Sequence, residues 1–228
     1  MNLRKRMLAV PFALTACLLH FFLSLLPLPT LLTVPIAACV PLALSRLVIG
    51  RTERTAALMP RLRLFLCILP VFLTASMLLS LLVGAETVLP DIPLALLFLY
   101  YVILPALFEE LFYRHTLLPL LLPVSRTAAV FASALFFAAF HAPAAMPYAF
   151  VCGLLLAYAY LEGGILLPIA LHFTNNALSF LLTCIGGMQV LYLPLLILCA
   201  LACIPAVILF LKDGGYRQTK GKNGSEKL

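Results

Sequence analysis

Two adjacent carboxylates, Glu109 and Glu110, close the apolar run 92–108, and Arg114 follows four residues after the second. A charged side chain at membrane depth costs about 2.5–3.5 kcal/mol on insertion scales, so acids kept in such a run imply a use. Neighbouring helix positions point about 100° apart, which rules out one shared proton between these two. Arg114 lies on the face of Glu110, with the acid N-terminal to the base in the favourable order. The spacing therefore favours Glu110 as the holder of Arg114 and leaves Glu109 free for another partner, although Glu109 could reach Arg114 instead.

Three further groups can take part in chemistry. Phe137 and His141 share a helix face, and the small Ala138 and Ala139 between them allow another helix to approach. His172 and Asn176 share a face, with Asn175 beside them. Taken singly, each histidine has a plain structural role as an interhelical hydrogen-bond donor, worth about 1 kcal/mol. His20, with no polar neighbour at helical spacing, keeps that role. Ser133 and Thr174 stand in no triad arrangement and read as helix-interior hydroxyls.

Together, Glu109, His141, His172 and Asn176 amount to a hydrolytic apparatus without a protein nucleophile. Glu109 and one imidazole would take a proton from water. The other imidazole and Asn176 would donate to a developing oxyanion. Metal binding competes for the same atoms, since zinc catalysis uses three protein ligands and a water, and Glu109, His141 and His172 supply three. The chain has no His-Glu-x-x-His motif. A cavity protein that binds or transports without hydrolysis, or confers immunity, would keep the same residues.

The elements that must position this set are membrane helices. The chain has 228 residues, is 64% hydrophobic and 10% charged, and has no Trp; its mean hydropathy is +1.16. That composition describes a polytopic membrane protein, and long apolar runs without alternation select helices over a barrel. Apolar runs at 7–26, 30–49, 64–83, 92–113, 127–141, 148–161, 165–183 and 190–211 predict an all-α bundle of about eight transmembrane helices, with the fifth and sixth short. These form one transmembrane domain, 1–211, with the reactive set in a core at 92–183. A polar, basic tail, 212–228, is expected to be disordered. Ile36-Ala37-Ala38-Cys39 resembles a lipoprotein cleavage box, but the preceding apolar region is too long for a signal peptide, so the first helix is expected to be retained.

Basic residues fall at Arg4 to Arg6, between Arg46 and Arg63, at Arg126 and in the tail, whereas Glu86 and Asp91 share a connection with no base. The positive-inside rule then puts both termini in the cytoplasm. The formal charge of +7 is a topology signal and not a nucleic-acid footprint. The seven cysteines lie in apolar runs without metal-finger spacing.

The three motifs Glu109-Glu110-x-x-x-Arg114, Phe137-x-x-x-His141 and His172-x-x-x-Asn176, in this order on separate helices, resemble those of the CAAX-prenyl-protease and bacteriocin-processing (Abi) group of intramembrane proteases. The resemblance implies a helical membrane protease acting on a membrane-anchored peptide or protein. Glu109 and His141 would activate water, His172 and Asn176 would stabilise the oxyanion, and Glu110 and Arg114 would organise the site. Eukaryotic members trim prenylated proteins; bacterial members are linked with bacteriocin maturation or immunity. The group is often called metalloprotease, with zinc or another divalent metal in dispute. The resemblance also implies a multi-pass protein, with a bacterial plasma membrane as the expected location.

One tension remains in this arrangement. His141 lies about 20 Å along a helix that starts at 127, at 1.5 Å per residue, while Glu109 sits near the inner end of a helix that stops at 113. The boundary expected to be at fault is that of the fifth helix, either through a partly immersed 117–124 segment or through strong tilt.

Overall fold

The computed structural model describes residues 3–27, 29–49, 58–83, 91–185 and 188–225. The described residues form helices and turns, with no strand among them. In chain order the helices are α1 (Leu3–Ser24), α2 (Thr30–Ile49), α3 (Leu58–Val83), α4 (Leu94–Leu121), α5 (Arg126–Ala139), α6 (Met146–Gly163), α7 (Leu166–Cys184) and α8 (Met188–Ser225). Five stretches among them are long and apolar enough to cross a membrane: 61–81, 94–121, 143–163, 166–184 and 191–212. The apolar stretches Val10–Ser24, Leu31–Ser45 and Arg126–Ala139 are shorter. The basic connection 50–57 and the acidic connection 84–90, on which the orientation expectation rests, lie outside the described residues, as do Gly186 and Gly187, where the sequence predicts a turn. The last helix continues to Ser225, across most of the stretch expected to be disordered. Once a helix is established, each added residue gains a hydrogen bond without a new nucleation cost.

The boundary that moves most is the end of α4. It runs on through Arg114, His115 and Thr116 to Leu121 and places Glu109 and Glu110 in its middle. α5, by contrast, begins within one residue of its expected start, where the Ser125 side chain accepts from the Ala128 amide and caps the first turn. The tension over helix five therefore came from helix four. Measured from the α4–α5 turn, Glu110 stands eleven residues back from Leu121 and Phe137 eleven residues on from Arg126. Both lie about 16 Å above the turn at 1.5 Å per residue.

α4 reaches that length with widened, i→i+5 turns at Leu99–Ile103, Pro105–Glu109 and Tyr113–Leu117. Two of these have a common cause. A proline inside a helix has no N–H, and its ring strikes the carbonyl four residues back. For Pro105 that carbonyl belongs to Tyr101, and for Pro119 to His115, each the middle residue of a widened turn. The Leu104 and Leu118 amides close these turns on the carbonyls of Leu99 and Tyr113.

α4 is the central helix, touched by α1, α2, α5 and α7, while α5 packs most extensively on α6 and α8 on α3. At the α5–α6 crossing, a Cβ on Gly153 would stand 3.0 Å from the Ala134 Cα. The close approach is thus at Ala134 and Gly153. Of the pair expected to provide it, Ala138 is buried and Ala139 is exposed. The α6–α7 turn depends on Gly164, at φ 75° and ψ −174°, a region that favours glycine. One apolar cluster centres on Phe112, Tyr113 and Phe137 between α1, α2, α4, α5 and α6; a second centres on Phe72, Leu156 and Leu171 between α3, α6 and α7. Tyr148 packs against both.

Candidate active site

Glu110 and Arg114 are completely buried, and Arg114 is the largest side chain so placed. Their ion pair, Arg114 Nη1 to Glu110 Oε1, measures 3.2 Å. Glu110 Oε1 also accepts from His172 Nδ1 at 2.9 Å, so the acid on α4 joins Arg114 on its own helix to the imidazole on α7. Arg114 Nη2 donates to the Gly153 carbonyl on α6 at 3.3 Å. The tight Ala134–Gly153 crossing brings that backbone within reach. Desolvating two charges costs several kcal/mol per ion, and only good geometry with further hydrogen bonds offsets it. Here His172 and Gly153 supply those further bonds.

Phe137 is the apolar hub. Its ring centroid lies 4.3 Å from the Arg114 guanidinium carbon, 4.7 Å from the His141 ring and 5.9 Å, edge-on, from the His172 ring. The motif residues Glu110, Arg114, Phe137, His141 and His172 therefore converge between α4, α5 and α7. His141 stands just past the end of α5. Pro143 disfavours helical geometry for the residue before it, and Ala142 is extended at φ −55°, ψ 143°. With the helix ended there, the Phe137 carbonyl belongs to the last turn, and His141 Nδ1 caps it at 2.8 Å. A carbonyl only accepts, so Nδ1 carries the proton. The neutral ring then presents Nε2 as an acceptor, the tautomer a base requires.

Glu109, half-buried, makes no hydrogen bond to the histidines, and its Oε2 is buried without a partner. The second oxygen of Glu110 and Nε of Arg114 are likewise buried and unpartnered, and Nη1 of Arg114, though ion-paired with Glu110, makes no hydrogen bond. Unpaired polar atoms clustered in a protein interior are commonly met by ordered water. Asn176 is half-buried, and its Oδ1 receives Asn175 Nδ2 at 3.4 Å.

Among the described residues no three His, Cys, Asp or Glu side chains are grouped to hold a metal ion, and the candidates Glu109, His141 and His172 form no such group. Nδ1 of His141 is held by the Phe137 carbonyl and Nδ1 of His172 by Glu110, which leaves Nε2 of both rings open.

His20 takes a structural role, donating from Nδ1 to the Ala37 carbonyl at 2.9 Å and stacking on Phe112 at 3.8 Å. Ser133 Oγ donates to the Tyr113 carbonyl and Thr174 Oγ1 to the Ala170 carbonyl. Both hydroxyls thus serve the backbone. The sequence reading missed Gly153, the link from Glu110 to His172, and a polar group formed by Ser76, Tyr148 and Asn175. Asn175 was open to inference, since it lies three residues after His172 and so on the same side of α7.

With this geometry in place, residues 91–178 match the family model described as type II CAAX prenyl endopeptidase Rce1-like. Over that stretch the chain is similar to the Rce1-like family. The matched stretch holds all three motifs, from Glu109 to Asn176. No curated protein and no solved structure matches the chain. That similarity supports a protease-type function for a multi-pass membrane protein.

Proposed function

We propose that the protein is an intramembrane endopeptidase that hydrolyses a membrane-anchored peptide or protein with an activated water. Glu109 Oε2 and His141 Nε2 take the proton as the water attacks the scissile carbonyl. His172 Nε2 and the Asn176 amide donate to the oxygen that becomes negative. For His172 to donate there while its Nδ1–H is held by Glu110, the ring carries both protons. In that state Glu109, Glu110, Arg114 and His172 sum to zero charge, a balance that suits an interior site. Electrostatic donors fixed before the reaction stabilise the transition state without reorganising. The bond that breaks is the amide C–N; water supplies the hydroxyl to the new carboxylate and the proton to the leaving amine.

The observation that carries this reading is the buried, unpartnered Glu109 Oε2 beside a set whose other carboxylate is tied to Arg114 and His172. One carboxylate is spent on structure, and the other is left open to bind a water. The proposed setting is a bacterial cell membrane, crossed by about eight helices with both termini in the cytoplasm. Residues 92–183 form the catalytic core of a single domain, 1–211. Bacteriocin processing or immunity is one such role.

The test uses purified protein in proteoliposomes and a quenched-fluorescence peptide ending in a prenylated cysteine and three further residues. In parallel, new termini are mapped in the membrane fraction of the expressing cells. Glu109→Gln keeps size and removes the base; hydrolysis falls at least a hundredfold, the low end for a general base. Wild-type rates in E109Q would reject the water-activation role. A site that takes up ligand but cuts no peptide in either assay would instead favour binding, transport or immunity.

A further inference from the structure

The structure holds a second polar group next to the motif residues, which the proposed mechanism has not used. Tyr148, on α6, accepts Ser76 Oγ from α3 at 3.1 Å and Asn175 Nδ2 from α7 at 2.8 Å. Ser76 and Asn175 are buried, and Tyr148 sits between the two large apolar clusters. The phenol oxygen is therefore a fixed point shared by three helices.

Asn175 carries two N–H donors on one nitrogen. It gives one to Tyr148 and is 3.4 Å from Asn176 Oδ1 with the same nitrogen. A carboxamide whose oxygen is turned toward a donor has its NH2 turned away from it. Flipped the other way, Asn176 would set its NH2 against the NH2 of Asn175, donor against donor. Asn175 thus selects one of the two amide orientations of Asn176, and Tyr148 with Ser76 holds Asn175 in place.

We propose that Tyr148 is a positioning residue for the oxyanion site: through Asn175 it fixes the Asn176 amide so that its N–H faces the reacting carbonyl. This rests on the oxyanion role given to Asn176 above. In this role Tyr148 acts through Asn175 and not on the substrate itself. Its effect is orientational, and a donor held in the right orientation is worth more in the transition state than one free to flip.

Tyr148→Phe removes one oxygen and keeps the ring between its clusters. With the prenylated peptide, Y148F lowers kcat about tenfold, the scale of one hydrogen bond lost in the transition state, and leaves KM unchanged. Asn175→Ala cuts the same chain at its next link and gives the same split, so either variant that folds decides the question. A double-mutant cycle then separates orientation from mere stability. In an Asn176→Ala background Y148F costs nothing further, whereas a purely structural role adds its own loss. If N176A cuts the peptide at the wild-type rate, the oxyanion role fails and this inference falls with it. If N176A is impaired while Y148F and N175A keep full kcat, or if the losses of Y148F and N176A simply add, the positioning role alone is overturned.

Discussion

The flanking helices and the helices of the matched stretch solve the same problem, a polar group inside an apolar bundle, in different ways. Between α1 and α2, His20 donates to a backbone carbonyl and stacks on Phe112. Between α3 and α8, the Tyr192 hydroxyl donates to the Met77 carbonyl at 2.6 Å. Each is a neutral group meeting a backbone acceptor. Between α4 and α7, His172 donates instead to a carboxylate that also holds a fully buried guanidinium. Burial alone does not separate the two regions, since the flanks bury Ser45 and Thr33 as well. The partner separates them: a backbone carbonyl is available on every helix, whereas Glu110 and Arg114 had to be kept in an apolar run against the cost of insertion. That contrast is why the ionised set, and not the neutral bonds around it, is read as the site.

Breaking the ionised set should have the largest effect. Arg114→Leu leaves Glu110 buried without its cation, and removing one partner of a buried pair costs about 3–5 kcal/mol. Thermal unfolding in detergent should show a large drop for R114L. A double variant, Glu110→Gln with Arg114→Leu, should recover much of it, because no uncompensated charge remains. Neither should cut the peptide, since His172 loses its carboxylate or the carboxylate loses its anchor. An R114L protein as stable as wild type would mean that the pair is solvated and the contrast with the flanks is false.

A smaller loss is expected at Gly153, where the α5–α6 crossing is set. Valine there drives side-chain atoms into the Ala134 backbone, and overpacking costs about 1–3 kcal/mol. Because the Gly153 carbonyl is an acceptor for Arg114, G153V should also lower hydrolysis more than its stability loss explains. Comparing the active fraction with the folded fraction, by single-turnover kinetics and unfolding on one preparation, tests this. Proportional losses would make Gly153 a packing residue only.

The parts of this arrangement that a linear pattern can carry were legible in the chain. Helix α2 begins at the expected residue and α5 within one residue of it, because apolar runs announce them. The pairing of Glu110 with Arg114 follows from i,i+4 spacing. The end of α4 did not follow, and the reason is physical. Arg114, His115 and Thr116 in succession look like the solvated end of a span, yet all three are buried. Their partners arrive from elsewhere: Gly153 for Arg114, Tyr160 for His115, and the Leu111 carbonyl, opened by a widened turn, for Thr116. Gly153 and Tyr148 were missed for the same cause. A glycine and a tyrosine in an apolar run carry no charge signal, and what they do depends on which helix crosses them.

The smallest effect sharpens the comparison from the flank side. His20→Phe keeps an aromatic ring against Phe112 and removes the donor to Ala37. An interhelical hydrogen bond in a membrane protein is worth about 0.6–1.7 kcal/mol, so the unfolding midpoint should fall only slightly. Hydrolysis of the prenylated peptide should stay at the wild-type rate, because His20 reaches the site through the packing of Phe112, Tyr113 and Phe140. A loss of kcat in H20F without loss of folded protein would show that a neutral backbone bond on α1 also tunes the chemistry. The division between a structural flank and a reactive core would then have to be redrawn to include α1.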